Sequence, residues 1–80
     1  MINPIMILRK KLRLSRNDLG LILGVSYSAV GQVEQGKMAA IPETWKHGLE
    51  ELGIDYYDLQ ESFLEWRQEQ REAVIERLAR

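Results

Sequence analysis

The sequence predicts a small all-α domain of five helices, the last of them extended. Three observations lead there. Apolar residues recur at three- and four-residue spacing through successive segments, as one buried helix face requires. Residues that start or stop helices separate those segments: Pro4, Ser15, Gly24, Ser26, Pro42, Gly53 and Asp55. No Gly or Pro occurs from Ile54 to Arg80, so nothing interrupts a terminal helix.

Composition bounds the rest. The chain has 80 residues, 45% hydrophobic and 29% charged, which suits one small folded domain. There is no Cys and one His, so neither a disulfide framework nor a Cys-based zinc site is expected. The apolar start MINPIMIL is far shorter than the ~20 residues a bilayer span needs. It also lacks the charged start and cleavage site of a secretory signal. A cytoplasmic protein without membrane association is therefore expected. Net charge is −1, but the charge is unevenly placed. Residues 1–40 carry Arg9, Lys10, Lys11, Arg13, Arg16 and Lys37 against only Asp18 and Glu34. Residues 54–80 carry four Arg against seven Asp and Glu. Binding responds to the local field, so a basic first half and an acidic tail leave a nucleic-acid partner open.

Pro4 suits the first turn of the first helix, in which Ile5, Leu8 and Leu12 form an inward stripe and Lys10 and Lys11 point outward. Leu14 returns the chain to the core. Ser15 caps the second helix, and Asp18 is placed to return the bond. Leu19, Ile22 and Leu23 then recur at helical spacing. Gly24 supplies a turn with positive φ, Val25 plugs the turn, and Ser26 caps a third helix whose inner face is Val30 and Val33. Gly20, one turn before Gly24, lets the two helices cross closely, as a helix-turn-helix requires.

Met38 to Ile41 is a linking loop, and Pro42 opens the fourth helix, with Trp45, Leu49 and Leu52 inward. His47 lies beside that stripe and is read as a surface residue. Gly53 ends this helix in a left-handed cap, and Asp55 caps the fifth. The fifth helix is predicted to run for about 24 residues, roughly 36 Å. Tyr56, Leu59, Phe63, Trp66, Ala73, Val74 and Leu78 share one broad face, and Glu61, Glu65, Glu69, Glu72 and Glu76 another. Gln70 and Arg77 interrupt the apolar seam, so the heptad is imperfect. Its early part, to about Trp66, is expected to pack on the domain, and its later part projects too far for one small domain to cover. Phe63, Trp66, Val74 and Leu78 are thus expected to meet a partner, most simply a second copy; the alternative is a frayed terminal helix.

Residues Leu19, Gly20, Leu23, Gly24, Val25, Val30 and Val33 together resemble the helix-turn-helix of the phage Cro/repressor type, also called the xenobiotic-response-element type. The run Val33-Glu34-Gln35-Gly36-Lys37 matches that family's way of closing the second helix of the pair. The resemblance covers roughly residues 5–59. It implies a lambda-repressor-like five-helix domain over residues 1–59, with 60–80 as an extension for dimerisation or a partner. It departs from the family at Arg13, where a Gly or Asn is usual. There, either the turn takes another shape or Arg13 accepts strain. It departs again at Gly48, usually a branched aliphatic, where Trp45 is expected to fill the vacated volume.

The resemblance further implies that the helix from Tyr27 to Gln35 enters the major groove of double-stranded DNA. Tyr27, Ser28, Gly31 and Gln32 are then its exposed face, with Gln32 able to read adenine and Arg16 and Lys37 set toward phosphates. The alternative for each is a merely solvated side chain. Arg9 and Glu34 fall where some phage repressors pair a buried Arg with the Glu closing the recognition helix; the alternative is a solvated Arg9 near phosphate. A sequence-specific regulator, binding a pseudo-palindromic operator as a homodimer, is the function these residues favour. A protein-interaction module, an antitoxin or an adaptor of another regulator acting through the last helix, is the alternative. No nucleophile–base pair, metal-ligand cluster or Gly-rich phosphate loop is evident, so no enzyme, cofactor or small-molecule substrate is expected.

Overall fold

The computed structural model describes residues 2–80 and is 71% helical, with no strand among the described residues. Helix α1 spans Pro4–Lys11, α2 Arg16–Leu23, α3 Tyr27–Glu34, α4 Lys46–Glu51 and α5 Tyr56–Leu78, and a single 3-10 turn, Glu43–Trp45, leads into α4. The predicted caps form as the local chemistry demands. Ser15 Oγ accepts from the Asp18 N–H at 3.0 Å while Asp18 Oδ2 accepts from the Ser15 N–H at 3.1 Å, closing a reciprocal box at the start of α2. Ser26 Oγ accepts from the Ala29 N–H, and Asp55 Oδ1 from the Asp58 N–H.

Helices α2 and α3 are joined through Gly24, Val25 and Ser26, and form a helix-turn-helix. Gly24 takes φ 72°, a conformation that favours glycine. At Gly20 a Cβ would lie 2.7 Å from the Val25 carbonyl oxygen, so even Ala would displace the turn. Gly48 answers a similar demand. A Cβ there would sit 2.9 Å from the Ile22 carbonyl oxygen and 3.0 Å from the Leu23 Cα. The expectation that Trp45 fills space left by Gly48 is therefore corrected: backbone approach of α4 to α2 leaves no such space.

At the end of α1 the chain turns through Arg13 at φ 59°, the one non-glycine residue with positive φ among the described residues. The turn thus keeps its left-handed shape and Arg13 bears the strain. Leu12 also departs from expectation. It ends α1 and is 39% exposed, so the inward stripe of this helix rests on Ile5, with Leu8 partly buried.

The core joins Ile5, Leu19, Leu23, Val30, Val33, Ile41, Trp45, Leu49 and Tyr56 with Phe63 and Trp66 of α5. Phe63 is 0% and Trp66 8% exposed, their rings 5.7 Å apart. This agrees with the expected packing of α5 to about Trp66 and corrects the assignment of Phe63 and Trp66 to a partner surface: α5 crosses α1 and α4, and the domain itself covers both rings. Arg67 follows on the same side and donates to the carbonyls of Gly36 and Met38. The packed part of α5 therefore runs past residue 60 to Arg67, and residues 68–80 are exposed along their length. This projecting helix gives the molecule its extents of 44 × 22 × 21 Å.

Candidate nucleic-acid interface

Helix α3 is short, so its orientation depends on what holds its ends. At the N-terminus the Ser26 cap and the Gly24 turn fix it to α2. At the C-terminus two polar devices converge. The first is Asn3, only 4% exposed. Its Nδ2 donates to the carbonyls of Val33 at 2.9 Å and Glu34 at 2.8 Å, while its Oδ1 accepts from the Ile5 N–H at 2.8 Å. One side chain thus caps the start of α1 and adds a donor to two carbonyls in the last turn of α3, of which that of Val33 also accepts from the Gly36 N–H at 3.1 Å.

The second device is the Glu34 carboxylate, whose side chain is 0% exposed. Arg9 donates to it from Nη2 at 3.0 Å and from Nε at 3.1 and 3.2 Å. A side-on guanidinium contact of this kind binds carboxylate with fixed geometry. Arg16 Nε donates to Glu34 Oε2 at 3.1 Å. Arg9 also donates through Nη1 to the Leu14 carbonyl at 2.9 Å, just past the strained Arg13 turn. The resulting Arg9–Glu34–Arg16 triad ties α1, α2 and α3 together and carries one net positive charge.

Arg16 thus has a second partner that sequence spacing did not reveal. Its side chain, 25% exposed, lies over the surface of α3. The guanidinium stands 6.0 Å from the centroid of the Tyr27 ring, within cation–π range. It also covers Gly31, where a Cβ would meet Arg16 Nη1 at 3.5 Å. Gly31 is buried, which corrects its placement on an exposed face; it is the floor on which Arg16 rests.

Arg16, Tyr27, Ser28, Gly31, Gln32 and Lys37 nonetheless line one shallow open depression, with Gln35 completing its rim. Tyr27, Ser28, Gln32 and Lys37 are exposed there. This wall offers a fixed cation at Arg16, a second at Lys37, amide donors and acceptors at Gln32 and Gln35, and hydroxyls at Tyr27 and Ser28. Such a set suits a polyanion with readable edges better than an apolar ligand. Elsewhere, Val74 is 42% and Leu78 78% exposed on the projecting part of α5, apart from buried Phe63 and Trp66.

At the foot of α2, the Ser15 backbone and hydroxyl bonds lower the pKa of Asp18 below the usual aspartate range. His47 lies on the surface, 3.0 Å from Glu51. Among the described residues, no cluster of His, Asp or Glu has the arrangement a metal ion requires. No helix of the described residues is long and apolar enough to cross a membrane. Comparison with protein-family models, curated proteins and solved structures gave no match.

Sequence reasoning missed three residues that shape this surface: Asn3, Gln35 and Arg67. Asn3 carries a weak local signal, since Asn directly before Pro4 is a good helix cap. Its longer reach to α3 has none. Arg67 lies beside the apolar seam of α5 with no local signal of its contacts, and Gln35 reads in the sequence only as the helix end.

Proposed function

We propose that the chain is a sequence-specific DNA-binding regulator of the Cro/repressor kind, with α3 as its recognition helix. The observation that carries this reading is the convergence of the anticipated contact residues on one depression along α3, with cations at Arg16 and Lys37. The triad and the Asn3 bonds support it by making α3 a rigid presenting element, and direct readout rewards rigidity. In this role Tyr27, Ser28 and Gln32 face base edges or adjacent phosphates, and Arg16 and Lys37 neutralise phosphates. The protein acts as a homodimer on a pseudo-palindrome whose half-sites lie about one helical turn apart. Repression by occupancy requires no chemistry and no cofactor.

A second reading is favoured by the exposed apolar residues Val74, Ile75 and Leu78 on the projecting helix. In that reading the chain is an interaction module, an antitoxin or adaptor, and α5 receives a protein partner.

Selection of binding sites from a random duplex pool at moderate salt separates the two. Enrichment of a two-fold-related sequence is the expected result. A folded protein that enriches nothing refutes the DNA-reading role and leaves the interaction module.

A further inference from the structure

The charges of α5 are sorted by face, and the faces have different neighbours. At about 100° per residue, Glu61, Glu65, Glu69, Glu72 and Glu76 occupy an arc of roughly 80°. Arg67, Arg71 and Arg77 occupy an arc of roughly 120° centred on the opposite side, which they share with the exposed apolar residues Val74 and Leu78 and which holds no acidic residue. The contacts of Arg67 show which way this basic edge is turned. Arg67 donates to the carbonyls of Gly36 and Met38, immediately past the end of α3. The basic edge therefore continues from the recognition surface, and the acidic edge is turned away from it.

A second open depression joins the two regions. Gln35, Gly36, Arg67, Gln70, Arg71 and Val74 contribute to its walls. Gln35 lines this depression and also the one along α3, so the two adjoin across a single side chain. Arg71 and Arg77 are exposed, and neither forms an ion pair or hydrogen bond among the described residues. Arg80, by contrast, is engaged with Glu76 at 3.2 Å. Two unneutralised guanidinium groups thus lie on the exposed part of α5, Arg71 in the depression that opens beside the end of α3 and Arg77 further along the helix. Arg67 and Arg71, four residues apart, are a like-charged pair, which is unfavourable to an isolated helix. A polyanion laid along this edge offsets that repulsion, whereas a second copy meeting it face to face would double it.

We infer that Arg71 and Arg77 form a flanking phosphate-binding edge, which engages the backbone of the duplex that α3 reads. The inference rests on the DNA-binding reading above and extends its footprint from α3 along α5. The edge supplies affinity without sequence information, since guanidinium–phosphate contacts position a protein and release counterions.

The test measures affinity for a random-sequence duplex across a range of salt concentrations. The wild type is compared with Arg71→Gln/Arg77→Gln and with Glu65→Gln/Glu69→Gln, whose carboxylates hold no arginine among the described residues. Both double variants change exposed residues beyond the core, and circular dichroism checks that each keeps its helix content. The arginine variant is expected to lower the slope of log affinity against log salt by about 1 for each arginine removed. The glutamate variant should leave the slope unchanged. A wild type that binds duplex with a slope unaltered by the arginine changes overturns the inference and leaves the α3 reading standing. An arginine variant altered only in its sedimentation also overturns it, marking the edge as a protein interface. A folded wild type that binds no duplex at any salt overturns both.

Discussion

Arg9 of α1 and Glu34 at the end of α3 are joined by a side-on guanidinium–carboxylate contact, Nη2 to Oε1 at 3.0 Å, with the glutamate side chain entirely withdrawn from solvent. A buried carboxylate is costly unless its charge is matched and its oxygens are occupied. Here Arg9 and Arg16 meet both needs. Removing Arg9 leaves Glu34 with a single donor on a more exposed side chain. We expect Arg9→Ala to lower unfolding stability by about 3 kcal/mol in urea titrations. Arg16→Ala, on the more open side, should cost about 1 kcal/mol. Equal effects would contradict this division of roles.

The Asn3 bonds predict a second stability effect. Asn3→Ala leaves the Val33 and Glu34 carbonyls without their side-chain donor in a buried setting. The expected loss is about 1–3 kcal/mol. Amide exchange should speed up in the last turn of α3 before the rest of the domain opens. Uniform acceleration over every helix would argue against a local clamp.

Glycines distinguish packing from permissiveness. Gly20→Ala places a methyl 2.7 Å from the Val25 carbonyl oxygen, so the helix-turn-helix must shift at a cost of about 1–3 kcal/mol. Gly31→Ala meets only the Arg16 guanidinium at 3.5 Å. It should raise stability by up to about 1 kcal/mol through helix propensity. Thermal unfolding of the two variants gives opposite signs if this assignment is correct.

The pH dependence follows from Asp18, whose pKa is lowered by its bonds to Ser15. A carboxylate with a depressed folded-state pKa adds stability above its unfolded pKa, and that increment disappears as pH falls through the folded value. The melting temperature of the wild type should therefore exceed that of Asp18→Asn near neutrality. The difference should shrink below the ordinary aspartate range, where Asp18 becomes protonated. A difference independent of pH would place the contribution elsewhere.

The elements most legible in the sequence are those governed by local chemistry. Ser15, Asp18, Ser26 and Asp55 announce helix starts because a cap involves atoms within three residues. Gly24 and Gly53 announce turns because their backbone needs positive φ. The pairing of Arg9 with Glu34 was anticipated only through resemblance to a family. Arg16 joining that pair, Asn3 reaching α3 and Arg67 reaching Gly36 all join residues distant in sequence, and local spacing carries no trace of them. Helical periodicity placed Phe63 and Trp66 correctly on one face with Val74 and Leu78. The size of the domain sets where along that face coverage stops, at about Trp66, so Phe63 and Trp66 belong to the core and only Val74 and Leu78 stay exposed.

Gln32 offers the most direct test of the central proposal, because it is exposed on α3 and takes no part in the triad or the core. The measurement is the affinity of wild type and Gln32→Ala for a selected duplex and for the same duplex changed one base pair at a time. If α3 reads bases, the wild type discriminates at one adenine position in each half-site by about 1–3 kcal/mol, and Gln32→Ala loses discrimination at that position alone. If Gln32→Ala keeps every preference of the wild type, or weakens binding equally to all duplexes, α3 is not reading sequence through Gln32 and the account is contradicted.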